Sequence, residues 1–153
     1  MFKKTLIPIL LLLVTSCGFT PLYSNLEKVD YNINFVEKRG DNLINNKIIS
    51  EISRLTNDKS NNIFNIKIIT NYSKLIISKD EKGSATNYEL SVIAKFSVEY
   101  KDNIKEINIS ESQNIKKISD IFEQKNYENT LKNNFAISIV NKLNIELLSI
   151  KWS

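Results

Sequence analysis

The chain has 153 residues, with 21 Lys and Arg against 17 Asp and Glu, no histidine, one cysteine, three glycines and two prolines. Without histidine the commonest general base and zinc ligand is missing, and three scattered glycines cannot build a phosphate-cradling loop or a nucleophile elbow. A lone cysteine excludes a disulfide within the chain.

The chain opens Met1-Phe2-Lys3-Lys4 and then runs apolar through Leu6 and Ile9 to Val14. Two lysines beside the N-terminal amine, followed by a short greasy stretch, form the n- and h-regions of a secretory signal. The run falls well short of the roughly 20 residues that a spanning helix needs. It ends in Val14-Thr15-Ser16-Cys17, an aliphatic residue, two small ones and a thiol. This is a lipobox: the thiol accepts a diacylglyceryl group, cleavage follows, and the freed amine can take a further chain. Residues 1–16 are therefore expected to be a cleaved lipoprotein signal, with Cys17 the lipidation site. Two or more acyl chains anchor stably where one does not.

Removal of residues 1–16 takes away Lys3 and Lys4 and leaves 137 residues with a side-chain balance of +2. That length suits one domain with a real core. So small a charge argues for no acidic partner, and nucleic acid is the wrong neighbour for an exported chain.

Residues 17–27 read as an extended tether, because Pro21 fixes its own φ and pushes Thr20 towards β geometry. Phe19 and Tyr23 lie in it without any helix or strand period, which makes them candidates for docking on a partner or at the membrane interface. The domain is expected over residues 28–153. Val29, Tyr31, Ile33 and Phe35 alternate with polar residues and mark a strand that Gly40 ends. Asp41 is a plausible N-cap for a helix with apolar positions Ile44, Ile48, Ile52 and Leu55, flanked by Leu43 and Ile49. Residues 57–62 form a polar loop.

Phe64, Ile66, Ile68, Thr70 and Tyr72 then share one strand face, and the phase blurs at Leu75-Ile76-Ile77, where a bulge is expected. Residues 78–84 make a polar turn. Tyr88, Leu90, Val92, Ala94, Phe96, Val98 and Tyr100 give the cleanest alternation in the chain, so the two runs read as a long antiparallel hairpin. Ile107 and Ile109 mark a weaker fourth strand. From about Ser119 the pattern becomes helical, with Leu131, Phe135, Ile139, Leu143 and Leu147 every four residues. The expected fold is α+β: a two-layer sandwich of order β-α-β-β-β-α. Two amphipathic helices pack on one face of a four-stranded, mostly antiparallel sheet. The other face carries Asn32, Asn34, Lys67, Asn71, Glu89, Ser91, Lys95 and Glu99 and should be wet.

Asp80 with Glu81, or Glu99 with Asp102, could in principle do acid–base work, but solvated turn and strand-edge charges explain them as well. No enzymatic activity, metal or cofactor is therefore expected. Lys74, Lys79 and Lys82 cluster towards the hairpin tip. They suit the phosphates of an anionic lipid or glycolipid headgroup, and equally a turn kept charged against edge pairing. Tyr72, Tyr88 and Phe96 fall on the buried phase and read as core.

Cys17-Gly18-Phe19-Thr20-Pro21-Leu22-Tyr23 resembles the start of the mature lipopolysaccharide-assembly lipoproteins of the LptE family. It is closest to the alphaproteobacterial pattern Cys-Gly-Phe-x-Pro-Leu-Tyr, and the order of segments is similar too. The resemblance implies a non-enzymatic subunit of the outer-membrane lipopolysaccharide translocon. Such a subunit sits as a plug and assembly partner in an LptD-like β-barrel and binds lipopolysaccharide. It also implies anchoring at the periplasmic face of the outer membrane, since Gly18 is not the aspartate that commonly retains lipoproteins at the inner membrane. Lys74, Lys79 and Lys82 are then lipopolysaccharide-binding candidates by location. The alternatives are a scaffold lipoprotein of a different envelope machine and, against the missing histidine, a tethered hydrolase.

Overall fold

In the computed structural model, residues 29–149 are described; Cys17, Phe19, Tyr23 and the rest of the signal and tether lie outside them. Six elements follow in the expected order: β1 (Asn32–Gly40), α1 (Asn42–Leu55), β2 (Ile63–Lys79), β3 (Ala85–Tyr100), β4 (Asn103–Lys116) and α2 (Ile121–Ser149). They build one sheet of order β1-β2-β3-β4. β1 and β2 run parallel, joined through α1, because parallel neighbours need a crossover. β2, β3 and β4 form an antiparallel meander.

The period-2 pattern decides which face is packed. Ile66 sits opposite Val98, Ile68 opposite Phe96 and Thr70 opposite Ala94, and all six are buried. The row continues into β4, where Ile107 faces Phe96 and Ile109 faces Ala94. On these rows lie Ile44, Ile48 and Ile52 of α1 and Leu131, Phe135, Ile139, Leu143 and Leu147 of α2, all in one buried cluster. Burial of such aliphatic side chains, at about 2 kcal/mol each, is the main term holding the layers together. The outer face carries the expected Asn, Ser, Lys and Glu residues, with Ile69 and Ile93 half-exposed among them.

The corner between β1 and α1 is tightly specified. Gly40 has φ +102°, and a Cβ there would meet the Thr70 carbonyl oxygen at 1.8 Å. Asp41 then caps α1, its carboxylate accepting from the Ile44 amide at 3.0 Å. Its own amide donates to Thr70 Oγ1, which donates in turn to buried Asn45. These bonds place the start of α1 level with Thr70, and the helix runs back towards the chain entry.

The expected irregularity after Leu75 is present as register shifts between Ile76 and Lys79. Three boundaries differ from expectation. β1 starts at Asn32, with Val29 in an isolated parallel bridge to Thr56. Tyr72 and Tyr88 are half-buried where Phe96 is fully enclosed. β4 extends well beyond Ile107 and Ile109, reaching Lys116.

Candidate functional site at the hairpin end

β2 has 17 residues, about 56 Å at strand rise, whereas α1 begins only level with Thr70. The last nine residues of β2, with their β3 partners, therefore project past α1, and α2 alone accompanies them. The tip closes on Asp80: its carboxylate accepts from the amides of Lys82 at 2.9 Å and Ser84 at 2.8 Å. Gly83 turns the chain at φ +81°. Lys79 and Lys82 stand exposed on either side of this turn.

Lys74 has a different setting. Counting by two from Tyr72 puts it on the helix-facing side, where its ammonium pairs with Glu128 of α2 and lies 4.2 Å over the Tyr88 ring. Gln124 donates to the same carboxylate at 2.7 Å and accepts from the Ile118 amide, closing the turn into α2. One helical turn further on, Lys132 bonds Asp41 at 2.6 Å and lies 3.9 Å over the Tyr72 ring. The two lysines thus tie α2 to the hairpin and to the cap of α1. Partial burial pushes the Asp41 carboxyl up. The Lys132 hydrogen bond, the Ile44 amide, the Lys132 charge and the Leu43 amide outweigh it and hold the group below its ordinary value. Burial, with the Glu128 and Asp41 charges, pushes the Tyr72 phenol up to about 12. The structure accordingly separates the three sequence candidates: Lys79 and Lys82 face solvent together, and Lys74 serves a structural contact.

Two lysines that the sequence reading passed over lie at this end. β4 delivers Lys116 and Lys117 beside the hairpin turn, fixed by the Lys117 amide donating to the Thr86 carbonyl at 2.7 Å. With Asp80, Ser84, Thr86, Asn87 and Ser119 they line an open groove of about 470 Å³. The available signal was the Lys-Lys pair between Ile115 and Ile118, just where the strand gives way to a helix cap. Asp120 provides that cap, accepting from the Glu123 amide at 2.7 Å, so its carboxylate is committed to the fold, as is that of Asp80. Around the groove stand exposed apolar side chains: Leu75, Ile76 and Ile77 on the hairpin, and Ile121 and Phe122 on the first turn of α2.

Ammonium groups beside hydroxyl and amide donors suit a phosphorylated sugar, and flanking aliphatic side chains suit an acyl chain. Among the described residues no cluster of His, Cys, Asp and Glu could hold a metal ion, and no helix is long and apolar enough to cross a membrane.

Two solved structures share this fold. The rare lipoprotein B crystal structure from Shewanella oneidensis superposes with a TM-score of 0.60 at 12% identity, covering 77% of this chain and 94% of that one. A minor lipoprotein from Acinetobacter baumannii gives 0.52 at 8% identity, covering 76% and 92%. The chain has the fold of these bacterial lipoproteins. No protein-family model and no curated protein matches its sequence.

Proposed function

We propose that this chain is an outer-membrane lipoprotein of the LptE type, anchored through acyl chains on Cys17. In this reading it serves as plug and assembly partner of an LptD-like β-barrel and binds lipopolysaccharide at the hairpin end. The observation that carries the reading is the Cys-Gly-Phe-x-Pro-Leu-Tyr start leading into a domain of the lipoprotein fold. Three features support it physically. The outer sheet face is polar, as a body lodged in a wet barrel lumen needs. The core is complete within one sheet and two helices. The groove at the tip offers Lys116 and Lys117 to phosphate, with Lys79 and Lys82 nearby.

The test is purification of the acylated protein from mild-detergent envelopes, with mass spectrometry of what accompanies it. A near-stoichiometric large outer-membrane barrel is the expected result; recovery alone, or with an unrelated envelope complex, overturns the proposal. Lipopolysaccharide binding is tested separately. Replacing Lys116 and Lys117 with serine should weaken it at least tenfold, about 1.4 kcal/mol, with unchanged thermal stability. Lys74→Met should instead lower stability and leave binding near native. Recovery of the barrel together with binding that ignores all four tip lysines would leave a scaffold lipoprotein that does not handle glycolipid.

A further inference from the structure

The opposite end of the domain holds a second open depression, of about 310 Å³, lined by Asp30, Tyr31, Asn62, Phe64, Tyr100, Leu147 and Leu148. Its floor is aromatic: Phe64 meets the Tyr31 ring edge-on at 5.1 Å and the Tyr100 ring at 4.8 Å. Its rim is polar, with Tyr100 donating to Asn62 at 3.0 Å and Asn62 donating to the Asp30 carbonyl at 3.2 Å. Leu148 borders it with 61% of its surface exposed. A water molecule occupies about 30 Å³ of liquid, so the depression is sized for side chains.

Its position indicates what fills it. Asp30 and Tyr31, two of its lining residues, are the first turns of the chain entering the domain. The 12 residues 17–28 lead directly to them and carry Phe19, Leu22, Tyr23 and Leu26. None of these has a helix or strand period to bury it. An extended chain spans about 3.4 Å per residue, so Leu26 reaches about 10 Å and Tyr23 about 20 Å from Val29. Both distances bring the side chains onto the cleft.

We propose that the tether folds back on its own domain, with Leu26 and Tyr23 seated in the cleft against Leu148 and the Tyr31–Phe64–Tyr100 cluster. The consequence for the anchored protein rests on acylation of Cys17. With the tether free, the anchor and the domain are joined by a leash of up to about 40 Å. Docking at Tyr23 leaves the six residues 17–22, about 20 Å, and turns a loose leash into a short one that sets the height of the domain above the membrane. The tip groove then stands at a fixed distance from the bilayer.

The test uses residues 17–153 with Cys17→Ser, which is independent of acylation and of any barrel. Methyl and aromatic NMR signals are compared between this protein, its Tyr23→Ser/Leu26→Ser variant, and its Trp152→Ser variant. The expected result is displacement of the Leu148 methyl and Tyr100 ring signals by the tether substitutions, with the deeply buried Leu90 and Val92 methyls unmoved. Unmoved Leu148 and Tyr100 signals overturn the proposal. So does displacement by Trp152→Ser alone, which assigns the cleft to residues 150–153. A lipopolysaccharide or barrel result leaves this outcome untouched, so the two readings fail separately.

Discussion

Replacement of Asp41 tests how the distal half of the domain is fastened. The carboxylate does two jobs: it caps α1 through the Ile44 amide, and it pairs with Lys132, with both side chains more than four-fifths buried. Asp41→Ala removes the cap, about 1 kcal/mol, and strands a largely buried ammonium, about 2 kcal/mol. The sum, about 3 kcal/mol, corresponds to a fall in melting temperature of about 10 °C for a domain of this size. Asp41→Asn keeps a capping oxygen and loses the charge, so it should cost only the pair, about 2 kcal/mol. The assay is urea unfolding followed by circular dichroism, on Cys17→Ser protein, between pH 3 and 7. The folded-state pKa of Asp41 lies below its unfolded value, near 3.9. Its contribution is therefore fully present above the unfolded pKa and is lost as pH falls through the lower folded pKa. The Asn variant should lose that part of the acid dependence, so the native and Asn curves converge towards pH 3. Equal stability of the Asn variant and the native protein at pH 7 would refute the pair. Equal losses for Ala and Asn would refute the cap.

The Tyr72 hydroxyl is buried without a hydrogen-bond partner, so Tyr72→Phe should raise stability by about 1 kcal/mol while keeping a ring beneath Lys132. A lower melting temperature would show that the hydroxyl is satisfied after all. Gly40→Ala should cost about 3 kcal/mol or more, since it combines a positive φ with a Cβ at 1.8 Å from a carbonyl oxygen; a loss below 1 kcal/mol in urea titration would contradict the corner geometry. Leu131→Asp places an unpaired carboxylate at a site only 4% exposed. It should abolish the cooperative thermal transition at pH 7, and a native-like transition would mean that the packed face of α2 is misassigned.

The fold was legible wherever an inward position is apolar. Alternation in β3 from Leu90 to Val98 and the four-residue spacing from Leu131 to Leu147 each put their residues on the packed side. Asp41 announced the helix it caps, because a side-chain oxygen ahead of an amphipathic run meets amides that have no other partner. The register shifts beyond Ile76 were foreshadowed by three successive apolar residues, which no single strand phase can accommodate. β4 was underestimated for the opposite reason. Its inward positions after Ile109 are Glu111 and Gln113, and the hydrophobic signal lapses until Ile115. Glu111 faces inwards because α2 meets it with Ser138 at 2.7 Å and Lys142 at 2.7 Å. A strand pattern scored on hydrophobicity is blind to an inward charge whose partner lies on another element.

The same blindness governed the site. Lys74 was grouped with Lys79 and Lys82 because it is near them in sequence. Strand parity already placed it with Tyr72 and Phe64 on the packed face, and a lysine on that face needs a carboxylate and a ring to accept it. Glu128 and Tyr88 provide them, but their arrival depends on how α2 lies across the sheet. Lys116 and Lys117 stayed hidden for the complementary reason: they become part of a site only when the end of β4 is brought beside a turn more than thirty residues earlier. Composition gave no help, since 21 basic residues are spread along the chain. Parity therefore separates lysines committed to the fold from those left for a ligand, and tertiary placement alone tells which of the latter share a groove.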